Sequence, residues 1–171
     1  MIDFKEFIRD IPNFPKEGII FKDISPLLAH PSALQDAIEA MAQPFKQDQI
    51  DLVVGIESRG FLFGPGVARH LGCGFAPVRK PGKLPYDTHS VSYELEYGTD
   101  TLEIHTDAIN KGGRVLVVDD LLATGGTAAA CQQLVTKVGG HLVGFSMVIE
   151  LGFLAGRKAL GDTKFNALIN Y

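Results

Sequence analysis

The sequence predicts an α/β fold: a mainly parallel central sheet flanked by helices. Three observations carry this. Strand–helix–strand alternation recurs at least twice along the chain, which is the layout of parallel strands joined by crossovers. The run Val115-Leu116-Val117-Val118 is continuously apolar and β-branched, as a strand buried on both faces must be. Apolar strand segments then run straight into loops rich in Gly, Asp and Arg, and in parallel sheets ligands bind at those carboxyl ends.

Each element has its own justification. Residues 1–11 carry Phe4, Phe7, Ile8 and Ile11 at helical spacing and predict a short helix. Pro12-Asn13-Phe14-Pro15-Lys16-Glu17-Gly18 is turn-rich. Ile19–Ile24 reads as a short strand or extended loop. Pro31–Phe45 predicts a helix, with Leu34, Ala37, Ile38 and Met41 on one face and Pro31-Ser32 suited to its start. Ile50–Ile56 is a buried strand running into Glu57-Ser58-Arg59-Gly60, with a helix to follow that ends near Leu71-Gly72. Phe75–Val78 is a second strand. The polar stretch from Arg79 to about Gly98 is long for a loop within one domain, a mark of functional or mobile segments. Tyr93–His105, which begins before that stretch ends, alternates like a hairpin. After Arg114–Val118 come the helix Ala128–Val138, stopped by Gly139-Gly140, and the strand Leu142–Ile149.

Composition bounds the function. With 171 residues, 46% apolar and 21% charged, the chain reads as one globular domain; disorder, coiled coil and collagen are excluded. A net charge of −4 lacks the basic footprint of a nucleic-acid binder, so any anionic substrate must be drawn by a local site. Cys73 and Cys131 are too few for a disulfide framework or a Cys-rich zinc site and read as reduced thiols. Met1–Glu6 has no signal-peptide layout, and no stretch approaches the ~18 apolar residues of a membrane span, so a cytoplasmic protein with no membrane partner is expected. The five histidines are scattered without ligand spacing and read as structural.

The chemistry concentrates after Val118. Two carboxylates, Asp119 and Asp120, precede Ala123-Thr124-Gly125-Gly126-Thr127, which opens a helix. A helix start offers unpaired N–H groups and partial positive charge, and suits a phosphate monoester. Gly125 and Gly126 remove Cβ atoms so that amides can approach closely, and Thr124 and Thr127 add hydroxyls. The aspartates must face something other than the phosphate; vicinal sugar hydroxyls fit pure acceptors. The loop reads as a ribose-5-phosphate cradle, and no other phosphate or dinucleotide motif is present.

The run from Val115 to Thr127 resembles the phosphoribosyl-pyrophosphate motif of the type I phosphoribosyltransferase family. Phe14–Pro26, Glu57–Gly64, Arg79–Pro85 and Leu95-Glu96-Tyr97-Gly98 are similar to the adenine-using branch of that family. The resemblance covers nearly the whole chain. It implies the type I phosphoribosyltransferase fold over residues 1–171, with about residues 1–30 forming a small N-terminal hood over the base and with a mobile loop. It implies a glycosyltransferase reaction of purine salvage: adenine and phosphoribosyl pyrophosphate give AMP and pyrophosphate. Mg²⁺ is expected, held mainly by phosphoribosyl pyrophosphate, with no dedicated protein cage. A homodimer is expected on the same ground.

The resemblance also distributes roles. Glu57, Ser58 and Arg59 form the pyrophosphate loop, where Arg59 can grip oxygens in a fork. Arg79, Lys80 and Lys83 are the other pyrophosphate-binding residues, Lys83 with the option of serving a neighbouring subunit. Glu96 takes or relays a proton from adenine once the long loop closes, so Glu96 and Arg59 are the catalytic pair. Phe21 stacks on the base, the backbones of Ile20 and Lys22 read its edge, and Leu151 forms the opposite wall. Many family members have Arg where Lys22 stands, and bacterial members often have Arg where Tyr86 stands. Two alternatives stay open at this point: a phosphoribosyltransferase for another base, and a non-catalytic binder of phosphoribosyl pyrophosphate.

Overall fold

The computed structural model describes residues 2–94 and 98–171. The chain opens with one 3₁₀ turn, Phe4–Phe7, whose start is capped by Asp3 accepting from the Lys5 amide. Strands β1 (Arg9–Pro12) and β2 (Ile20–Asp23) then pair antiparallel, Arg9 opposite Asp23. The helix expected over 1–11 is therefore confined to that turn. So short a segment nucleates poorly alone, and β2 offers Arg9–Pro12 a partner. The apolar spacing still has a use: Phe4, Phe7 and Ile8 pack onto the core.

Helix α1 (Ser25–Ala29), which the sequence did not announce, leads into α2 (Pro31–Ala42) and a 3₁₀ turn, Gln43–Phe45. His30 caps α2, its ring Nδ1 accepting from the Ala33 amide at 3.3 Å. Strand β3 (Leu52–Ile56), a 3₁₀ turn (Arg59–Leu62), α3 (Gly64–Leu71) and β4 (Gly74–Val78) follow, with α3 stopped by Gly72 at φ +73°. The long polar stretch contains strand β5 (Thr88–Glu94), which pairs antiparallel with β6 (Thr99–His105). The hairpin thus starts five residues earlier than its alternation alone suggests. Then come β7 (Arg114–Leu122), α4 (Gly126–Val138), β8 (His141–Glu150), 3₁₀ turns Gly152–Leu154 and Gly156–Leu160, and β9 (Lys164–Asn170).

Five strands form one parallel sheet in the order β4-β3-β7-β8-β9. Strand alternation divides β7 between two cores. Val115 and Val117 face the layer of α4 and the β5–β6 hairpin; Leu116 and Val118 face α2 and α3. All four are fully buried, each worth about 1.5–3 kcal/mol of apolar transfer. Strand β7 also outlasts its apolar run. It pairs with β8 as far as Leu122 opposite Glu150, so Asp119 and Asp120 lie on the strand, not in a loop. No helix among the described residues is long and apolar enough to cross a membrane.

Candidate active site

The strand order reverses between β3 and β7: β4 lies outside β3, while β8 and β9 continue beyond β7. Such a switch point leaves a crevice at the carboxyl ends of the two strands. A cleft of about 270 Å³ opens there, lined by Glu57, Ser58, Arg59, Lys80, Tyr93, Asp100 and residues 119–128. The turn after β3 folds tightly onto β7, since a Cβ on Gly60 would stand 2.6 Å from the Val118 carbonyl oxygen.

The floor is the loop Ala123–Thr127. Gly125 sits at φ +90° with its would-be Cβ 2.4 Å from the Gly156 carbonyl oxygen, a place only glycine fits. Helix α4 begins at Gly126 with no side-chain cap, so its first N–H groups are left for a ligand. Around Gly126 the space is open: its would-be Cβ comes no nearer than 3.5 Å to any neighbour, the closest being the Tyr93 ring.

Beside the floor stand the two aspartates. Burial pushes the Asp119 carboxyl well above the ordinary carboxylate range, and the charge of Asp120 pushes it further. Burial also raises Asp120, against the pull of Arg59, whose Nε lies 3.0 Å from its Oδ2. Ligand hydroxyls donating to these oxygens would favour the charged forms.

Cations form the opposite wall. Arg79 forks onto Glu57 with both contacts at 3.2 Å, and the Lys80 amide donates to the same carboxylate at 2.9 Å. Those bonds, the Lys80 amide first, hold Glu57 below its usual range. Glu57 lines the cleft together with Ser58, Arg59 and Lys80, and its carboxylate also fixes Arg79 and the Lys80 amide. Lys80 pairs with Asp100, which also accepts from the Tyr93 hydroxyl at 3.2 Å; that hydroxyl is 3.1 Å from Thr127 Oγ1. A continuous polar chain therefore links Lys80 to the start of α4. Arg79 and exposed Lys83 lie just outside the cleft lining, joined by an Arg79 bond to the Lys83 carbonyl at 3.4 Å.

Phe21 adjoins the cleft through Arg59, whose guanidinium lies 5.2 Å from the ring centroid. Phe14 meets Phe21 edge-on, Ile20 is exposed, and Lys22 pairs with Asp10 at 2.7 Å while its ammonium lies 3.7 Å over the Tyr171 ring. Leu151 is tied to the end of β7, its amide donating to the Leu122 carbonyl at 2.9 Å. Glu96 lies outside the described residues. Sequence reasoning missed Tyr93 and Asp100. The only available signal was strand alternation, which puts Tyr93 on the same face as the apolar Val91.

The phosphoribosyl transferase domain family matches residues 23–162. The chain belongs to this family. This phosphoribosyl transferase is 58% identical over 170 residues to the adenine phosphoribosyltransferase of Acaryochloris marina, covering 99% of this chain and 100% of that one. Its fold superposes with a TM-score of 0.95 on the adenine phosphoribosyltransferase of Thermoanaerobacter pseudethanolicus, 52% identical, over 98% of each chain. The Saccharomyces cerevisiae enzyme, solved with an imino-altritol bisphosphate and adenine, is 45% identical with a TM-score of 0.88, over 95% of this chain and 94% of that one.

Proposed function

We propose that this enzyme transfers the 5-phosphoribosyl group of phosphoribosyl pyrophosphate to adenine, giving AMP and pyrophosphate in purine salvage. One observation carries the reading: a single cleft joins the uncapped start of α4, a buried aspartate pair and a wall of cations, with the Phe21 ring next to Arg59. The 5-phosphate rests on the amides of residues 123–127, with Thr124 and Thr127 adding hydroxyls. Asp119 and Asp120 accept from the ribose diol. Ser58, Arg59 and Lys80 hold pyrophosphate, with Glu57 fixing Arg79 and Lys80, and Arg79 and Lys83 at the rim. Adenine lies between Phe21 and Leu151, its edge read by the main chain of Ile20 and Lys22.

The bond from the anomeric carbon to pyrophosphate breaks as the bond to a ring nitrogen of adenine forms. Positive charge grows on the sugar and negative charge on the leaving group. The aspartates suit the first and Arg59 and Lys80 the second; Glu96 takes or relays the proton that adenine loses. Among the described residues no three His, Cys, Asp or Glu side chains form a metal-binding set. The aspartate pair fits an ion carried in by the diphosphate: Asp119 and Asp120 would meet water on Mg²⁺, which when bound supplies charge neutralisation for the leaving group. Residues 1–171 act as a single domain, about 1–30 supplying the hood, in a cytoplasmic homodimer without nucleic-acid or membrane partners; family resemblance supports the dimer.

Incubation with phosphoribosyl pyrophosphate, Mg²⁺ and each of adenine, guanine, hypoxanthine and orotate tests this. AMP and pyrophosphate with adenine alone are expected. A nucleotide of another base instead, or none at all, overturns it.

A further inference from the structure

We propose that Glu150 and Arg157 are positioning residues that fix the spacing between the base wall and the phosphate loop; this rests on the reading of the site given above. The segment 151–160 consists of two short 3₁₀ turns hinged at Ala155, which sits at φ +53°. Turns of this kind hold themselves weakly, so the segment depends on outside anchors. At one end it carries Leu151. Farther along, the Gly156 carbonyl and the Ala159 methyl press on Gly125, at 2.4 and 2.9 Å from where its Cβ would be, and a Cβ on Gly156 would stand 2.2 Å from the Ala123 carbonyl oxygen. One segment thus touches both half-sites.

Glu150 and Arg157 fasten it. Glu150 ends β8, is only 4% exposed, and takes a two-pronged grip from Arg157, Nε to Oε1 and Nη2 to Oε2, both at 2.6 Å. Asn170 at the end of β9 donates to the same carboxylate at 3.0 Å. The guanidinium lies 4.4 Å from the Phe165 ring centroid on β9. The carboxylate therefore draws strands β8 and β9 and the segment to one point. Neither residue lines the cleft, so their effect passes through Leu151 and Gly156. A planar fork sets both distance and orientation, which a lysine cannot do.

Arg157→Lys and Glu150→Gln test this while keeping size and most packing. KM for adenine, KM for phosphoribosyl pyrophosphate and kcat are measured well below each variant's melting temperature. Calorimetry gives the affinity for ribose 5-phosphate. Loosened spacing should raise KM for adenine and weaken ribose 5-phosphate binding together, between about threefold and a hundredfold, with circular dichroism unchanged. A lowered melting temperature with both constants at wild-type values overturns the proposal, as does a change in only one of them. Failure of the functional reading is separate: it shows as absence of AMP from the wild type, whereas ribose 5-phosphate binding still reads the loop.

Discussion

Two adjacent glycines at the phosphate loop should fail in opposite ways when each becomes alanine. Gly125→Ala forces an L residue to φ +90° and drives a methyl to 2.4 Å from the Gly156 carbonyl oxygen. The backbone conformation costs about 1–3 kcal/mol. The overlap involves main chain on both sides, so relief moves the loop, at a further cost of about 1–3 kcal/mol. A total near 3 kcal/mol lowers the melting temperature by roughly 6–12 °C for a chain of this size. Gly126→Ala meets nothing closer than 3.5 Å, and the residue opens a helix. Alanine there should leave stability unchanged or raise it by up to about 1 kcal/mol through a less mobile unfolded chain. Yet its methyl lies where the phosphate must approach the amides, so ribose 5-phosphate affinity should fall at least about tenfold, the loss of one charge-assisted bond. Differential scanning calorimetry and titration calorimetry on both variants separate the effects. Wild-type affinity in Gly126→Ala would refute the cradle; wild-type melting in Gly125→Ala would refute the packing argument.

Other outcomes follow from the electrostatics. The Asp119 carboxyl is pushed up in the folded state, so the unfolded chain binds fewer protons between its two values, and stability falls as pH rises from the unfolded value to the folded one. Asp119→Asn removes the cost of burying that charge; the melting temperature at neutral pH should rise while ribose 5-phosphate binding is lost, and an unchanged melting temperature would count against the assignment. Asp100→Ala frees the Lys80 ammonium and cuts its link to Tyr93 and Thr127; KM for phosphoribosyl pyrophosphate should change by several-fold with KM for adenine steady, and equal shifts in both would sink the linkage. Glu96→Ala should lower kcat more than it weakens adenine binding, and unchanged turnover removes Glu96 from the chemistry.

The central sheet was legible because β3 and β7 carry unbroken apolar runs and β8 one broken only by Ser146, a pattern that follows from burial on both faces. Strand β9 was not, because Lys164 and Asn166 interrupt an edge strand whose exposure permits them. The N-terminal hairpin was misread because helical spacing in Phe4–Ile11 is also satisfied by a turn followed by a strand. The glycine loop that opens α4 was legible since its neighbours in sequence are its neighbours in space. Asp100 and Tyr93 were not: Lys80 and Asp100 stand 20 positions apart, a pairing that no local pattern displays. Likewise only the fold brings Arg79 against Glu57, 22 positions away in the chain.

On the functional reading proposed above, base reading and sugar handling draw on different pieces of the molecule. The first belongs to a two-stranded flap outside the main sheet and to the chain just past β8; the second is cut into the ends of the innermost strands, where Gly60 and Gly125 leave no space for change. A lineage wanting a new nucleobase therefore has the flap, residues 14–22, to remodel, whereas Leu151 sits on a segment that also packs on the Gly125 loop and must be inherited with it. The same division tells an engineer where a library of variants can be drawn without sacrificing the sugar donor.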